Sequence, residues 1–235
     1  MQWFFIALGA PFLWAMVNIF DQYLVAKYST GTRGSGGLVL FSSLIGIFVA
    51  AAIGIFTPGI FGIPLLDKLL LIATGGMTIA WVIFYLFTLE IEEISAVVPW
   101  FLTIPIFGYV LGYIFLRETL STQQIIGSFI VLFGVLLISI DFSGQKRKFK
   151  WRPAIYMLLA CFLVSIAGVI FKYATIGDSG FWISSFWEYA GLGGFGILIF
   201  IFVPKYRDEF RHNTQKSWLV LPLFPLWYMA RSANF

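Results

Sequence analysis

Three polar side chains lie inside apolar stretches that are long enough to cross a membrane, where they could bind a polar or charged solute. One of them, Glu188, follows seven apolar or small residues and precedes fifteen more residues of the same stretch. An ionisable group at such depth costs about 2.5–3.5 kcal/mol on insertion scales, so it must face protein or water. We interpret Glu188 as a proton-coupling site or as a site for a substrate ammonium group. The alternatives are a neutral, hydrogen-bonded structural carboxyl and a residue near the membrane interface.

Asn18 and Asp21 are the other two, and their separation of three residues places them on one face of a helix. Together they could coordinate a polar substrate, or they could face Lys172 from a later part of the chain. The alternative for Asp21 is an interfacial position near the end of its helix. Asn18 lies deeper and is the better candidate for a cavity.

Aromatic and proline residues suggest where such a cavity lies. Trp81 and Tyr85 are four apart on one predicted helix face, and Trp100 directly follows Pro99. Pro99 and Pro105 each remove a backbone hydrogen bond from a run of membrane-spanning length and should bend it. Such breaks persist in membranes only beside protein or a water-filled cavity. Aromatic rings at the bend could enclose a flat or cationic ligand, although ordinary packing or lipid contact also explains them.

The residue types that the chain offers for chemistry also argue against an enzyme. The chain has one histidine and one cysteine, His212 and Cys161, so no zinc site and no disulfide within the chain is expected. No P-loop, Ser/His/Asp combination or pair of catalytic carboxylates can be assembled, and we expect no catalytic residue, metal or cofactor. The net charge of +4 is carried mostly by loops, and nothing resembles a nucleic-acid-binding surface.

The amino-acid composition indicates a protein that lies in a lipid bilayer. Of the 235 residues 60% are hydrophobic and 11% charged, where soluble proteins average about 25% charged. We therefore expect an all-α, multi-pass protein of the cell membrane, with lipid as a partner. The first apolar segment lacks a basic start and a cleavage pattern, which favours a retained helix over a signal peptide. Seven segments reach spanning length: Trp3–Lys27, Leu38–Phe56, Leu65–Leu89, Ile94–Leu116, Gln124–Ile140, Pro153–Tyr173 and Phe181–Val203.

The order of features suggests an internal duplication. Lys27-Tyr28 and Lys172-Tyr173 each follow a long apolar run, and each is followed by a Gly/Ser-rich turn and a Ser-Ser pair. We divide the chain into a first five-helix repeat (1–141), a basic linker (142–152) and a partial second repeat (153–235). A copied unit with an odd number of helices is inserted upside down. The second copy has two full helices and a partial eighth segment, Trp218–Ala230, which suggests a truncated or frameshifted reading frame.

Basic residues favour one orientation. Eleven Lys and Arg residues fall on the side of the linker and three on the other, and the three are Lys68, Arg117 and Lys172. The positive-inside rule then places the linker in the cytoplasm and the N-terminus outside. Two pairs of small residues, Gly108 with Gly112 and Ala190 with Gly194, predict close helix packing, with a homodimer interface as the alternative.

One set of residues runs through the first, fourth and fifth predicted helices, and its members are Trp14-Ala15, Lys27, Ala96, Pro99, Gly108, Gly112, Leu116-Arg-Glu118, Leu120-Ser121, Gln124, Gly127 and Gly134-Val135. On these residues the chain resembles EamA-type transporters of the drug/metabolite transporter superfamily over about residues 3–203. The resemblance implies ten helices in two inverted five-helix units around a central cavity. The chain departs from this pattern in lacking a second copy of the proline and glutamate of the fourth helix.

The resemblance implies a secondary transporter of a small metabolite, such as an amino acid or a drug, that works by alternating access, with coupling to protons through Glu188 or no coupling. A truncated chain would be inactive. Two other classes stay open: a seven-helix receptor or sensor, and an intramembrane enzyme, which would need a polar catalytic cluster that the sequence does not show. The candidate substrate-binding residues are Asn18, Asp21, Trp81, Tyr85, Pro99, Trp100 and Glu188.

Overall fold

The apolar runs fold into helices, because a helix satisfies its backbone hydrogen bonds internally where no water is available. A computed structural model of the chain describes residues 2–29, 34–119, 121–138 and 151–216. Within these ranges the chain is helical and contains no strand. In chain order the elements are α1 (Gln2–Tyr28), α2 (Gly36–Phe56), α3 (Leu65–Leu89), α4 (Ile94–Val97), a 3-10 helix (Val98–Thr103), α5 (Ile104–Leu116), α6 (Thr122–Ile138), α7 (Trp151–Ala174), a π-helical turn (Thr175–Ser179), α8 (Gly180–Phe202) and α9 (Pro204–Lys216).

The protein is a multi-span helical membrane protein. In the described ranges five stretches are long and apolar enough to cross a bilayer, and they are Gly36–Phe56, Leu65–Leu89, Ile94–Leu116, Trp151–Gly177 and Gly180–Phe202. A shorter apolar helix covers Thr122–Gly134, and the 27-residue α1 covers the first predicted segment. The prediction of seven full spans is therefore not confirmed. The predicted partial eighth segment lies outside the described residues.

The predicted break in the fourth apolar run is confirmed. One turn of α-helix is followed by six residues of 3-10 helix, and α-helix resumes at Ile104. Pro99 and Pro105 each lie in the first turn of their element, where a missing N–H removes no intrahelical bond. The prolines thus divide one span into three short elements with different windings.

The helices pack around α3. It lies along both α7 and α8, while α2 lies along α8 and α5 along α7. The helices α2 and α8 are the proposed counterparts in the two repeats, and the Ser-Ser pair of each is buried. Contact between counterpart helices is the arrangement that a twofold relation would produce. The division into repeats itself stays a prediction.

Close approach of α3 and α8 depends on Gly75 and Gly191. A β-carbon added to Gly75 would lie 2.3 Å from the backbone nitrogen of Leu192, and one added to Gly191 would lie 2.4 Å from the carbonyl oxygen of Ile72. By contrast, a β-carbon at Gly108 or Gly194 would meet no described atom within 4 Å. The predicted packing at those two positions is therefore not found among the described residues, and the homodimer alternative stays a prediction.

The charged segment from Lys205 to Lys216 is a helix, α9, and not the loop that its charge predicted. Its Glu209 is buried and accepts a hydrogen bond of 2.8 Å from the amide of Gly34, just before α2. Glu90, at the end of α3, accepts a hydrogen bond from the next amide, that of Ser35. Two carboxylates thus stabilise the positive end of α2. Burial raises the pKa of Tyr206 to about 12, and the negative charges of Glu209 and Glu90 contribute to this shift.

Candidate functional site

One face of α3 carries a buried row of polar and aromatic side chains. Its members recur every three or four residues, which is the spacing of neighbours on a helix surface. They are Thr74, Thr78, Trp81, Tyr85 and Thr88, each no more than 2% exposed. Thr74 and Thr88 donate their hydroxyl hydrogen bonds to carbonyls of α3 itself. The two remaining hydroxyls, those of Thr78 and Tyr85, reach side chains of other helices.

Tyr85 joins α3 to the polar pair of α1. Its hydroxyl donates a 2.9 Å hydrogen bond to Oδ1 of Asn18, and it also interacts with the carboxylate of Asp21. All three side chains are buried. The spacing of Asn18 and Asp21 along α1 therefore does what the sequence predicted, since both face the same phenol.

Tyr85 also joins this polar group to three further aromatic rings, of which Phe101 of the 3-10 helix is the central one. The ring centroid of Phe101 lies 5.3 Å from that of Tyr85, 5.6 Å from that of Trp14 and 6.1 Å from that of Trp81. The rings of Trp81 and Tyr85 are themselves 5.9 Å apart. We call this group the aromatic-polar cluster, and its members are Trp14, Asn18, Asp21, Trp81, Tyr85 and Phe101.

The break in the fourth span places the central ring. Pro99 is the second residue of the 3-10 helix, and Trp100 and Phe101 follow it, so the tighter winding decides which ring faces α3. Trp100 is buried in the same hydrophobic core, and its carbonyl accepts hydrogen bonds from Thr103 and Cys161. The sequence singled out Trp100, whereas the ring that contacts Trp14, Trp81 and Tyr85 belongs to Phe101.

Glu188 forms a second polar site, separate from the aromatic-polar cluster. The hydroxyl of Thr78 donates a 3.4 Å hydrogen bond to its Oε1, which joins α3 to α8 near the middle of both helices. Thr78 precedes Tyr85 by seven residues, which is about 10 Å along α3. The structure therefore brings together four of the seven candidate residues, Asn18, Asp21, Trp81 and Tyr85, places Pro99 and Trp100 next to them, and leaves Glu188 two turns away.

The suggested contact between Asp21 and Lys172 is wrong. Lys172 forms an ion pair with Glu118, at the end of α5, and both side chains are about half exposed.

Sequence reasoning missed Phe101, Trp14 and Thr78. For Phe101 the proline break signalled a change of direction, but it did not indicate which of the two rings after Pro99 faces α3. Thr78 lies one turn before Trp81, on the helix face that Trp81 and Tyr85 already defined. Trp14 lies four residues before Asn18 and so shares its face of α1. Trp14 and Thr78 follow from helix periodicity once the partner helices are known.

The arrangement combines a carboxylate, an amide and a phenol with three further aromatic rings. Carboxylates and ring faces both attract organic cations, and an amide and a phenol add directional hydrogen bonds. Among the described residues no group of three or more His, Cys, Asp or Glu side chains could hold a metal ion. A separate groove of about 370 Å³ is lined by apolar side chains together with Tyr173 and lies between α3, α5 and α7, away from the cluster.

Comparison with known proteins gives one match. The model of the EamA-like transporter family matches residues 1–140. This range includes every member of the aromatic-polar cluster, while Glu188 lies beyond it. No curated protein and no solved structure matches the chain significantly.

Proposed function

The chain belongs to the EamA-like transporter family, and from this premise we propose that it is a secondary transporter of small organic cations, which works by alternating access. The observation that carries the proposal is the aromatic-polar cluster, in which the carboxylate of Asp21 lies beside the phenol of Tyr85, and the ring of Tyr85 contacts those of Phe101 and Trp81. Families of this kind move drugs and metabolites. The cluster is the feature that argues for an ammonium group on the solute.

The chemistry of the cluster supports a cation over an anion or a sugar. A buried carboxylate attracts an ammonium group, and ring faces contribute about 0.5–2 kcal/mol each when the cation is desolvated. Asn18 and Tyr85 supply an oxygen acceptor and a donor to fix the orientation of the solute. A sugar would require a larger set of hydrogen-bonding groups than these two, and an anion would be repelled by Asp21.

The burial of the cluster supports an alternating mechanism. Asn18, Trp81 and Tyr85 are each no more than 4% exposed, so the conformation described here is closed around them. A solute can reach them only after helices separate. The 3-10 segment is the natural place for such a movement, because its hydrogen bonds are weaker than those of an α-helix. We place the transporter in the cell membrane, with the linker after α6 in the cytoplasm.

A direct test is uptake into proteoliposomes. The purified chain would be given radiolabelled choline, agmatine, glutamate and glucose, and each uptake compared with that of protein-free liposomes. We expect saturable uptake of choline or agmatine, inhibited by the other cation, and no uptake of glutamate. The proposal fails if no solute enters above the protein-free level. Preferred uptake of glutamate or glucose would retain transport and reject the cation.

Glu188 is the proposed coupling residue. α2 carries no charged residue, and α3 carries Asp67 and Lys68 in its first turn, about 15 Å along the helix from Thr78. Glu188 is thus the carboxyl group at mid-depth in this part of the bundle. An outward movement of a cation in exchange for a proton would require this group to gain and lose a proton during each cycle.

We expect Glu188→Gln to abolish the pH dependence of uptake while keeping the hydrogen bond to Thr78. Wild-type uptake should rise when a proton gradient is imposed and fall when nigericin collapses it, whereas uptake by the variant should be the same at every pH. The control is Thr78→Val, which removes the hydroxyl and keeps the carboxyl, and which should retain the response to pH. An unchanged pH profile in Glu188→Gln would remove this residue from coupling.

A further inference from the structure

The carbonyl groups around the two prolines are hydrogen-bonded by side chains of α7. Cys161 donates its thiol hydrogen to the carbonyl oxygen of Trp100 at 3.2 Å, and Ser165 donates to the carbonyl oxygen of Ile104 at 3.1 Å. The two donors are four residues apart on α7, and the two acceptors are four residues apart in the broken span. The two hydrogen bonds therefore lie about one helical turn apart, and we call them the rungs between α7 and the broken span.

These rungs lie in a dry part of the protein. Cys161 is fully buried and Ser165 is 4% exposed. A carbonyl that loses its partner in such a place has no water to replace it, so each rung holds the broken span against α7. Thr103 adds a third hydrogen bond from within the 3-10 helix, at 2.7 Å from its hydroxyl to the carbonyl oxygen of Trp100.

Both of these hydrogen bonds are also easily broken. A thiol is a weak hydrogen-bond donor, so the contact of Cys161 is a weaker link than a hydroxyl would provide. The hydroxyl of Ser165 has a single hydrogen to donate, and the carbonyl oxygen of Cys161 in its own helix is the nearer acceptor, at 2.6 Å. When α7 moves away from α5, Ser165 keeps a partner, since its hydrogen can turn to that carbonyl. The separation of the helices therefore leaves no hydroxyl unpaired.

The rungs act next to the aromatic-polar cluster. Trp100 and Phe101 are adjacent, and the ring of Phe101 contacts those of Trp14, Trp81 and Tyr85. A displacement of the Trp100 carbonyl must therefore change the position of the Phe101 ring. α7 belongs to the later half of the chain, and the cluster belongs to the first half, so the rungs join one half to the site of the other.

We propose that Cys161 and Ser165 are positioning residues that hold the 3-10 segment in the closed conformation, and that their release accompanies the opening of the site. This inference rests on the proposed function for its role in transport. The hydrogen-bonded rungs themselves can be tested without any substrate.

Cys161 is the one cysteine of the chain, so its alkylation reports directly on the rungs. Protein in nanodiscs would be treated with N-ethylmaleimide at 20 °C, and the rate followed by mass spectrometry. We expect slow alkylation of the wild type and, in Ser165→Ala, a rate roughly five-fold higher, since one hydrogen bond of about 1 kcal/mol is lost. The matched control is Ser42→Ala, which removes a buried serine hydroxyl that bonds only to the carbonyl of its own helix.

The possible outcomes distinguish a failure of the hydrogen-bond proposal from a failure of the proposed function. A Ser165→Ala rate equal to that of the wild type would overturn the proposal, as would an equal rise in Ser42→Ala, which would reflect general loosening. In uptake experiments Cys161→Ala should change the KM for the cation, and Cys161→Ser should restore it, because serine keeps a donor there. Failure of serine to restore the KM would also overturn the proposal. Faster alkylation of Ser165→Ala together with no uptake of any cation would leave the rungs standing and reject the proposed function.

Discussion

Replacing Asp21 with asparagine should weaken the binding of transported cations by about 10- to 100-fold. The two side chains have nearly the same shape, so the substitution removes the charge and retains an oxygen that the Tyr85 hydroxyl can face. A hydrogen bond to a charged group contributes about 1.5–3 kcal/mol, which corresponds to that range of affinity. The measurement is the KM for choline or agmatine uptake into proteoliposomes.

Glu118→Gln is the matched control for this prediction. It is the same change from carboxylate to amide, but Glu118 lies just after the end of α5, half exposed and paired with Lys172. An exposed ion pair contributes little, about 0–1 kcal/mol, so the KM should change less than about five-fold. Equal changes in the two variants would show that loss of charge anywhere on the protein weakens uptake. An unchanged KM in Asp21→Asn would remove Asp21 from the binding site.

Adding a single methyl group at Gly75 or at Gly191 should destabilise the folded protein strongly. In both cases the new β-carbon would lie within about 2.4 Å of backbone atoms in the facing helix, and backbone cannot turn aside as a flexible side chain can. Overpacking of this kind costs about 1–3 kcal/mol, and more where helices must separate. We expect Gly75→Ala and Gly191→Ala to lower the melting temperature in detergent, measured by the loss of the monodisperse peak after heating.

Gly194→Ala provides the comparison, because it places the same substitution three residues further along α8. A β-carbon there meets no described atom within 4 Å, so its melting temperature should stay close to that of the wild type. An unchanged melting temperature in Gly194→Ala would also show that alanine does not destabilise α8 in general, since alanine forms helices better than glycine does. Three variants with the same melting temperature would mean that α3 and α8 are not in contact at these glycines.

Helix positions followed closely from the sequence, because apolar run length and turn residues are local properties. α3 begins and ends at the predicted residues, Leu65 and Leu89, and α8 is displaced by one residue at each end. The break in the fourth span followed from Pro99 and Pro105. The grouping of Asn18 and Asp21 followed from their spacing, since both are presented by one helix.

What the sequence could not supply was the identity of the partners across helices. Which ring at the break faces α3 depends on the pitch of the 3-10 helix. The prediction therefore named Trp100, whereas Phe101 makes the contacts. The charged segment after α8 gave no apolar run to signal a helix, although Pro204 is suited to a first turn. Its folding depends on the buried Glu209 and on the ring of Phe210, which lies 4.5 Å from that of Phe41 in α2. Contacts of this kind appear only once the chain is folded.

The two cross-helix hydrogen bonds of α3 limit how that helix can move. Tyr85 holds it to α1 and Thr78 holds it to α8, and both lie on the same face, two turns apart. Rotation of α3 about its own axis would break both bonds together. Tilting breaks one bond while the other remains as the pivot. In the proposed alternating mechanism, α3 would open toward one membrane face at a time, because opening toward both would break both hydrogen bonds.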